Sequence, residues 1–160
     1  MIFGHSCRIM DMKKNSLIIR LNLSFRVVDT FPDIIIQLDN KIVLEGLQRN
    51  ECLALTIDQQ LCPGPHLLTI DFKNKNYSEC SKNKDMAVIV DQVKLQHLPD
   101  DFKIYSWYLP QYPEDWLKDH PNSKPEIHSN YLGWNGRWGF DFETPIYAWI
   151  HRKMNLGWSL

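Results

Sequence analysis

Apolar and polar residues alternate over much of the first hundred positions. From Leu17 to Val27 the odd positions (Leu17, Ile19, Leu21, Leu23, Phe25, Val27) are apolar, while Arg20, Asn22, Ser24 and Arg26 are polar. A period of two over this length predicts a strand with one face buried. DIIIQLDNKIVLEG (33–46) sets two β-rich runs around Asp39-Asn40, residue types that tolerate positive φ, and predicts a tight hairpin. Leu53, Leu55 and Ile57 alternate with Ala54, Thr56 and Asp58. After the turn CPGP, Leu68, Ile70 and Phe72 alternate with Thr69, Asp71 and Lys73. Cys62 and His66 bracket that turn, so their spacing reads as turn geometry and not as a metal-binding helix. MAVIVDQVKL (86–95) is more continuously apolar, as expected of a central strand buried on both faces.

The character changes near Pro99. Of nineteen Phe, Trp and Tyr residues, fourteen follow position 100, and none of the six tryptophans precedes Trp107. FKIYSWYL (102–109) predicts a further strand. PEDWLK (113–118) predicts one helical turn, with Pro113 at its first position and Glu114 and Asp115 at its positive end. In RWGFDFE (137–143), Trp138, Phe140 and Phe142 alternate with Arg137, Gly139, Asp141 and Glu143, predicting a last strand. Thr144 is expected to cap a helix starting at Pro145, with Ile146, Trp149 and Ile150 on one face and His151, Arg152 and Lys153 in its last turn.

Short strands separated by turn signals, with almost no helical periodicity, imply an all-β, jelly-roll-like antiparallel β-sandwich carrying one or two short C-terminal helices. The chain reads as a single domain, 1–160. Residues 1–98 supply the main sandwich strands; the aromatic-rich residues 99–160 complete it and form a contact surface.

Composition narrows the chemistry. Eighteen basic and nineteen acidic residues give a formal charge of −1, without the basic excess that phosphate contacts require, so nucleic acid is not an expected partner. No apolar stretch is long enough for a membrane helix, and MIFGHSCRIM lacks the charge and hydrophobic pattern of a signal peptide. Without a secretory signal, Cys7, Cys52, Cys62 and Cys80 are expected to be reduced thiols. There is no nucleophile elbow, no phosphate-cradling glycine loop and no histidine pair at metal-binding spacing, so no enzyme is expected.

The strand PHLLTIDFKN (65–74) and the later KDMAVIVDQVKLQ (84–96) together resemble the pattern of calcium-dependent carbohydrate-binding modules of the xylan-binding β-sandwich type. His66, Leu68, Thr69, Ile70 and Phe72 lie in the first strand; Asp85 opens the second and Asp91 follows within it. The hairpin IIIQLDNKIV is similar to one those modules carry earlier. The resemblance implies a calcium site using Asp85 and Asp91. Against it, the family's acidic position after the first strand is replaced by Lys73-Asn74-Lys75-Asn76, whose lysines repel a cation. The plain alternative makes Asp85 a turn residue and Asp91 exposed or paired.

The tryptophans admit three readings: core packing, a protein interface, or glycan stacking. Tyr131, Trp134 and Trp138 around Gly133 and Gly136 are the stacking candidates; Tyr131, Trp134, Trp149 and Trp158 are the interface candidates. GWNGRWGFDFETPIYAW also resembles small virion-associated β-sandwich proteins of tailed phages. The expected function is therefore a non-catalytic structural or assembly subunit, most simply of a phage virion. Its partners would be other subunits or further copies of itself, and it would need no cofactor. The alternative is a free glycan-binding module, assisted by calcium and located in the cytoplasm.

Overall fold

The computed structural model describes residues 14–96, 98, 106–123 and 126–153. Among these residues, nine strands form two antiparallel sheets. One sheet has the order β4-β1-β6-β8, built from β1 (Asn15–Arg26), β4 (Cys52–Leu61), β6 (Ala87–Leu95) and β8 (Tyr131–Leu132). The other has the order β3-β2-β5-β9-β7, built from β2 (Asp33–Leu38), β3 (Lys41–Leu47), β5 (Gly64–Phe72), β7 (Ser106–Pro110) and β9 (Gly136–Thr144). This is the all-β sandwich that the alternation implies.

The core is the set of inward positions. Leu17, Ile19, Leu21, Leu23 and Phe25 face Ile34, Ile36, Leu68, Ile70 and Phe72 across the layers, and all are buried. Burying each such side chain contributes about 1.5–3 kcal/mol. β9 lies between β5 and β7, so Trp138, Phe140 and Phe142 join the same core. The β2–β3 hairpin turns at Asp39 and Asn40, whose φ angles are 51° and 66°, the paired positive values of a tight hairpin.

Several local expectations change. Val27 falls beyond the end of β1 and is exposed. β6 is buried at Ala87, Val88, Val90 and Leu95, but Asp91 is exposed and Gln92, Val93 and Lys94 are half-buried, so it is not covered on both faces throughout. Helix α1 spans Glu114–Asp119, with Pro113 preceding it as its N-cap. Helix α2 spans Ile146–Lys153, but the Thr144 hydroxyl donates to the Cys62 carbonyl (2.7 Å) and so closes a contact between strands. Cys62 is disulfide-bonded, whereas Cys52 and Cys80 are free. The thiol expectation rested on compartment, which carries no information about which sulfurs the fold brings within bonding distance.

Candidate functional site

The chain segment after β5 and the turn before β9 meet at Lys75. Asn135 clasps the Lys75 backbone from both sides, its Oδ1 accepting from Lys75 N (2.8 Å) and its Nδ2 donating to Lys75 O (3.2 Å). The Lys75 ammonium then donates to Asp85 (2.6 Å) and to the Gly133 carbonyl, with 6% of the side chain exposed. Tyr131 donates its hydroxyl to the other Asp85 oxygen. Burial opposes the Asp85 charge, but these two hydrogen bonds and the adjacent ammonium outweigh it and hold the carboxyl below the ordinary range. Burial and the Asp85 carboxylate push the Tyr131 phenol up to about 12.

This arrangement bears directly on the two carboxylates singled out for calcium. Asp85 already has a resident cation, the Lys75 ammonium. Asp91 lies on β6, about 13 Å along the strand from Ala87, and accepts from the Ser24 hydroxyl (3.1 Å) on the solvent side. The fold does not bring the two together, and among the described residues no cluster of three His, Cys, Asp or Glu could hold a metal ion. Calcium needs six to eight oxygens.

Around Lys75 gathers an aromatic cluster. Trp134 lies 4.9 Å from Tyr77, 5.1 Å from Tyr112 and 5.3 Å from Trp116, ring centre to ring centre. Tyr112, Trp116 and His120, at four-residue intervals through α1, stack in a column with spacings of 4.3 and 4.1 Å. Lys75 sits over both Tyr77 and Trp134. The Tyr108 hydroxyl accepts from Trp134 N (3.0 Å) and donates to Trp134 O, fixing the turn. Burial raises the Tyr108 phenol well above its usual range. The Trp134 ring is thus half-buried against rings of its own chain, and the cluster fastens α1 to the sandwich in the manner of a satellite core.

The other expected aromatic residues divide. Trp138 is 1% exposed, so it is a core residue and offers no ring to a sugar; its Nε1 is buried without a hydrogen-bond partner among the described residues. Trp149, expected at an interface, is buried on Phe140 of its own chain (6.1 Å). In both cases the periodicity that marks an apolar face, of a strand for Trp138 and of a helix for Trp149, leads inward. Tyr131 is half-buried with Arg26 over its ring. Trp158 lies outside the described residues.

Two features escaped the sequence reading. The first is His66, buried on β5. Its Nδ1 meets Asp39 Oδ2 (2.6 Å), while its Nε2 meets the Cys62 carbonyl (2.7 Å) and Thr144 Oγ1 (3.2 Å). Asp39 also accepts from Leu67 N (2.9 Å). Burial works against the imidazolium, but the bonds to Asp39 and the Cys62 carbonyl prevail and raise its pKa above 6.5. Asp, His and Thr in this order suggest a hydrolase triad, but the Thr144 hydroxyl donates to a backbone carbonyl and all three groups are packed in. The trio clamps the hairpin turn, the CPGP turn and the end of β9.

The second is Trp107, on the outer face of the five-stranded sheet. Its register partner is Gly139, and a Cβ there would lie 2.3–2.7 Å from three atoms of the indole six-membered ring. The ring therefore rests on the glycine. Its Nε1 donates to Asp141 Oδ2 (2.6 Å), which fixes its orientation. The cross-strand row continues through Thr69 to Gln37. Beside it, Arg137 grips Asp71 through two bonds of 2.7 and 3.0 Å. Glycine opposite an aromatic residue on an outer sheet face was the available signal, but it required knowing that β7 pairs with β9.

No protein-family model matches the chain, and no curated protein matches it. Among solved structures it is similar to a chain described as vCBM60 in complex with galactobiose, with a TM-score of 0.49 and 16% sequence identity, covering 79% of this chain and 97% of that one. A likeness of this order leaves the function to be argued from the residues themselves.

Proposed function

We propose that this protein is a non-catalytic binding module that takes a neutral saccharide on the outer face of its five-stranded sheet. The Trp107 indole is the stacking platform. One observation carries the reading: the indole lies on Gly139 with its nitrogen anchored to Asp141, and the residue keeps part of its surface open to solvent. A ring held in this way loses little freedom when an apolar pyranose face stacks on it, which is the advantage of a preorganised site. Gln37, Asp71 and Arg137 supply hydrogen-bond donors and acceptors for sugar hydroxyls close to the platform. Arg137 is already neutralised by Asp71, and Asp141 adds a negative charge, so an acidic sugar is disfavoured. The non-catalytic part of the reading is supported by the commitment of His66, Asp39 and Asp85 to structural partners.

The test is calorimetric titration with xylo-, cello- and galacto-oligosaccharides. Wild type is expected to bind at least one series, Trp107→Ala to lose binding at least tenfold, and Trp134→Phe to retain it. Absence of binding in all three series, or binding that survives Trp107→Ala, defeats the reading.

A second reading, the structural or assembly subunit that sequence suggests for a virion, is favoured by a separate feature, the edge of β4.

A further inference from the structure

We infer that β4 is a self-pairing edge and that two copies of this chain join through it into one continuous eight-stranded sheet. This inference does not rest on the saccharide reading; it gives the assembly reading a surface and a partner.

Among the described residues the sandwich has four edge strands: β4 and β8 in one sheet, β3 and β7 in the other. An open edge presents unpaired backbone donors and acceptors, and stable monomers protect it with bulges, prolines, charges or short length. Three of the edges are protected. β8 has two residues. β7 has five and ends in Pro110. β3 carries Lys41, Glu45 and Gly46 at a positive φ of 134°, and its register with β2 slips between Ile36 and Gln37, leaving Val43 bulged.

β4 has neither bulge, proline nor short length, and little charge. It runs ten residues, CLALTIDQQL, without proline, glycine or bulge, and pairs with β1 in unbroken register from Asn15↔Leu61 to Ser24↔Cys52. Asp58 is its only charged residue. Its inward positions near the open side, Leu53 and Leu55, remain half-exposed, whereas Leu21 and Leu23, their partners on β1, are fully buried.

The strand is complementary to itself. Antiparallel pairing about a two-fold axis at Thr56 sets Leu55 opposite Ile57 of the second copy, Leu53 opposite Gln59, Ala54 opposite Asp58 and Cys52 opposite Gln60. Inward positions meet inward positions, as the two-residue period requires. The sole charge faces alanine, so no like charges meet directly. Leu53 and Leu55 gain the cover that the monomer lacks. Because such an interface is isologous, it closes at two copies and does not propagate.

Sedimentation velocity on the full chain tests this at micromolar concentrations. Wild type is expected at twice the chain mass of 18.9 kDa. Thr56→Glu is expected to run as a monomer, since two carboxylates would meet at the axis. Within one chain the same glutamate lies opposite Arg20 on β1, which keeps the fold; circular dichroism and the melting temperature verify that. Thr56→Cys in a Cys52→Ser background is expected to form a disulfide dimer on mild oxidation. A wild-type monomer throughout the range overturns the proposal. So does a dimer that survives Thr56→Glu while Thr56→Cys fails to cross-link, because the contact then lies elsewhere.

Discussion

The Lys75 ammonium lies 2.6 Å from Asp85 and is almost wholly enclosed, so the position where a calcium ion was anticipated is occupied by a side chain. A lysine cation delivered by the chain needs no ion from solution. Melting curves in excess calcium and in EDTA are therefore expected to coincide, because a ligand raises stability only by binding the native state. A calcium-dependent rise would contradict this. Lys75→Met leaves Asp85 without its cation and is expected to cost about 3 kcal/mol, the lower end of the range for a broken buried pair, since Asp85 is partly open to water. Acidification should act in the same direction. The Asp85 pKa is depressed, so its contribution is present above the unfolded value of 3.8 and lost as pH falls through the folded one.

His66 predicts the opposite dependence at higher pH. Its folded pKa is raised, so its stabilisation is complete below the unfolded value near 6.5 and lost as pH rises through the folded value. Urea denaturation at a series of pH values from 5.5 to 8.5 should show stability declining over the upper part of that range. His66→Asn should flatten the decline; an unchanged slope would assign it to another group.

Tyr108 holds the Trp134 turn through both its donor and its acceptor. Tyr108→Phe removes one oxygen and leaves two backbone groups of Trp134 without their partner. The expected loss is about 2–3 kcal/mol, measured by denaturant midpoint, because orphaned polar groups forfeit their solvation.

Gly139→Ala places a methyl group within 2.3 Å of the Trp107 ring. The ring must lift from the sheet, at an expected cost of about 1–3 kcal/mol, as for other overpacked sites. Saccharide affinity should fall together with the loss of the Trp107–Asp141 hydrogen bond, seen as an indole N–H shift in NMR. Retained affinity with a displaced ring would separate the platform from binding.

The strands and the Asp39-Asn40 hairpin were legible because their causes are local. Alternation of side chains follows from backbone geometry, and positive φ at a two-residue turn is a property of the residues there. The half-buried Leu53 and Leu55 show where this stops: their period is correct, but their exposure depends on β4 being an edge.

What the sequence by itself determined was thus the β-sandwich class, the main strands and the apolar faces. The tertiary structure alone decided the chemistry. Trp107 and Tyr108 are adjacent in one strand, yet one lies on the outer face while the other is buried, because pairing with β9 chose which parity points inward. Lys75 reaches Asp85, and His66 reaches Asp39 and Thr144, across separations of ten to seventy-eight residues. Such pairings depend on strand order and register, which arise from the packing of whole sheets and leave no periodic trace along the chain.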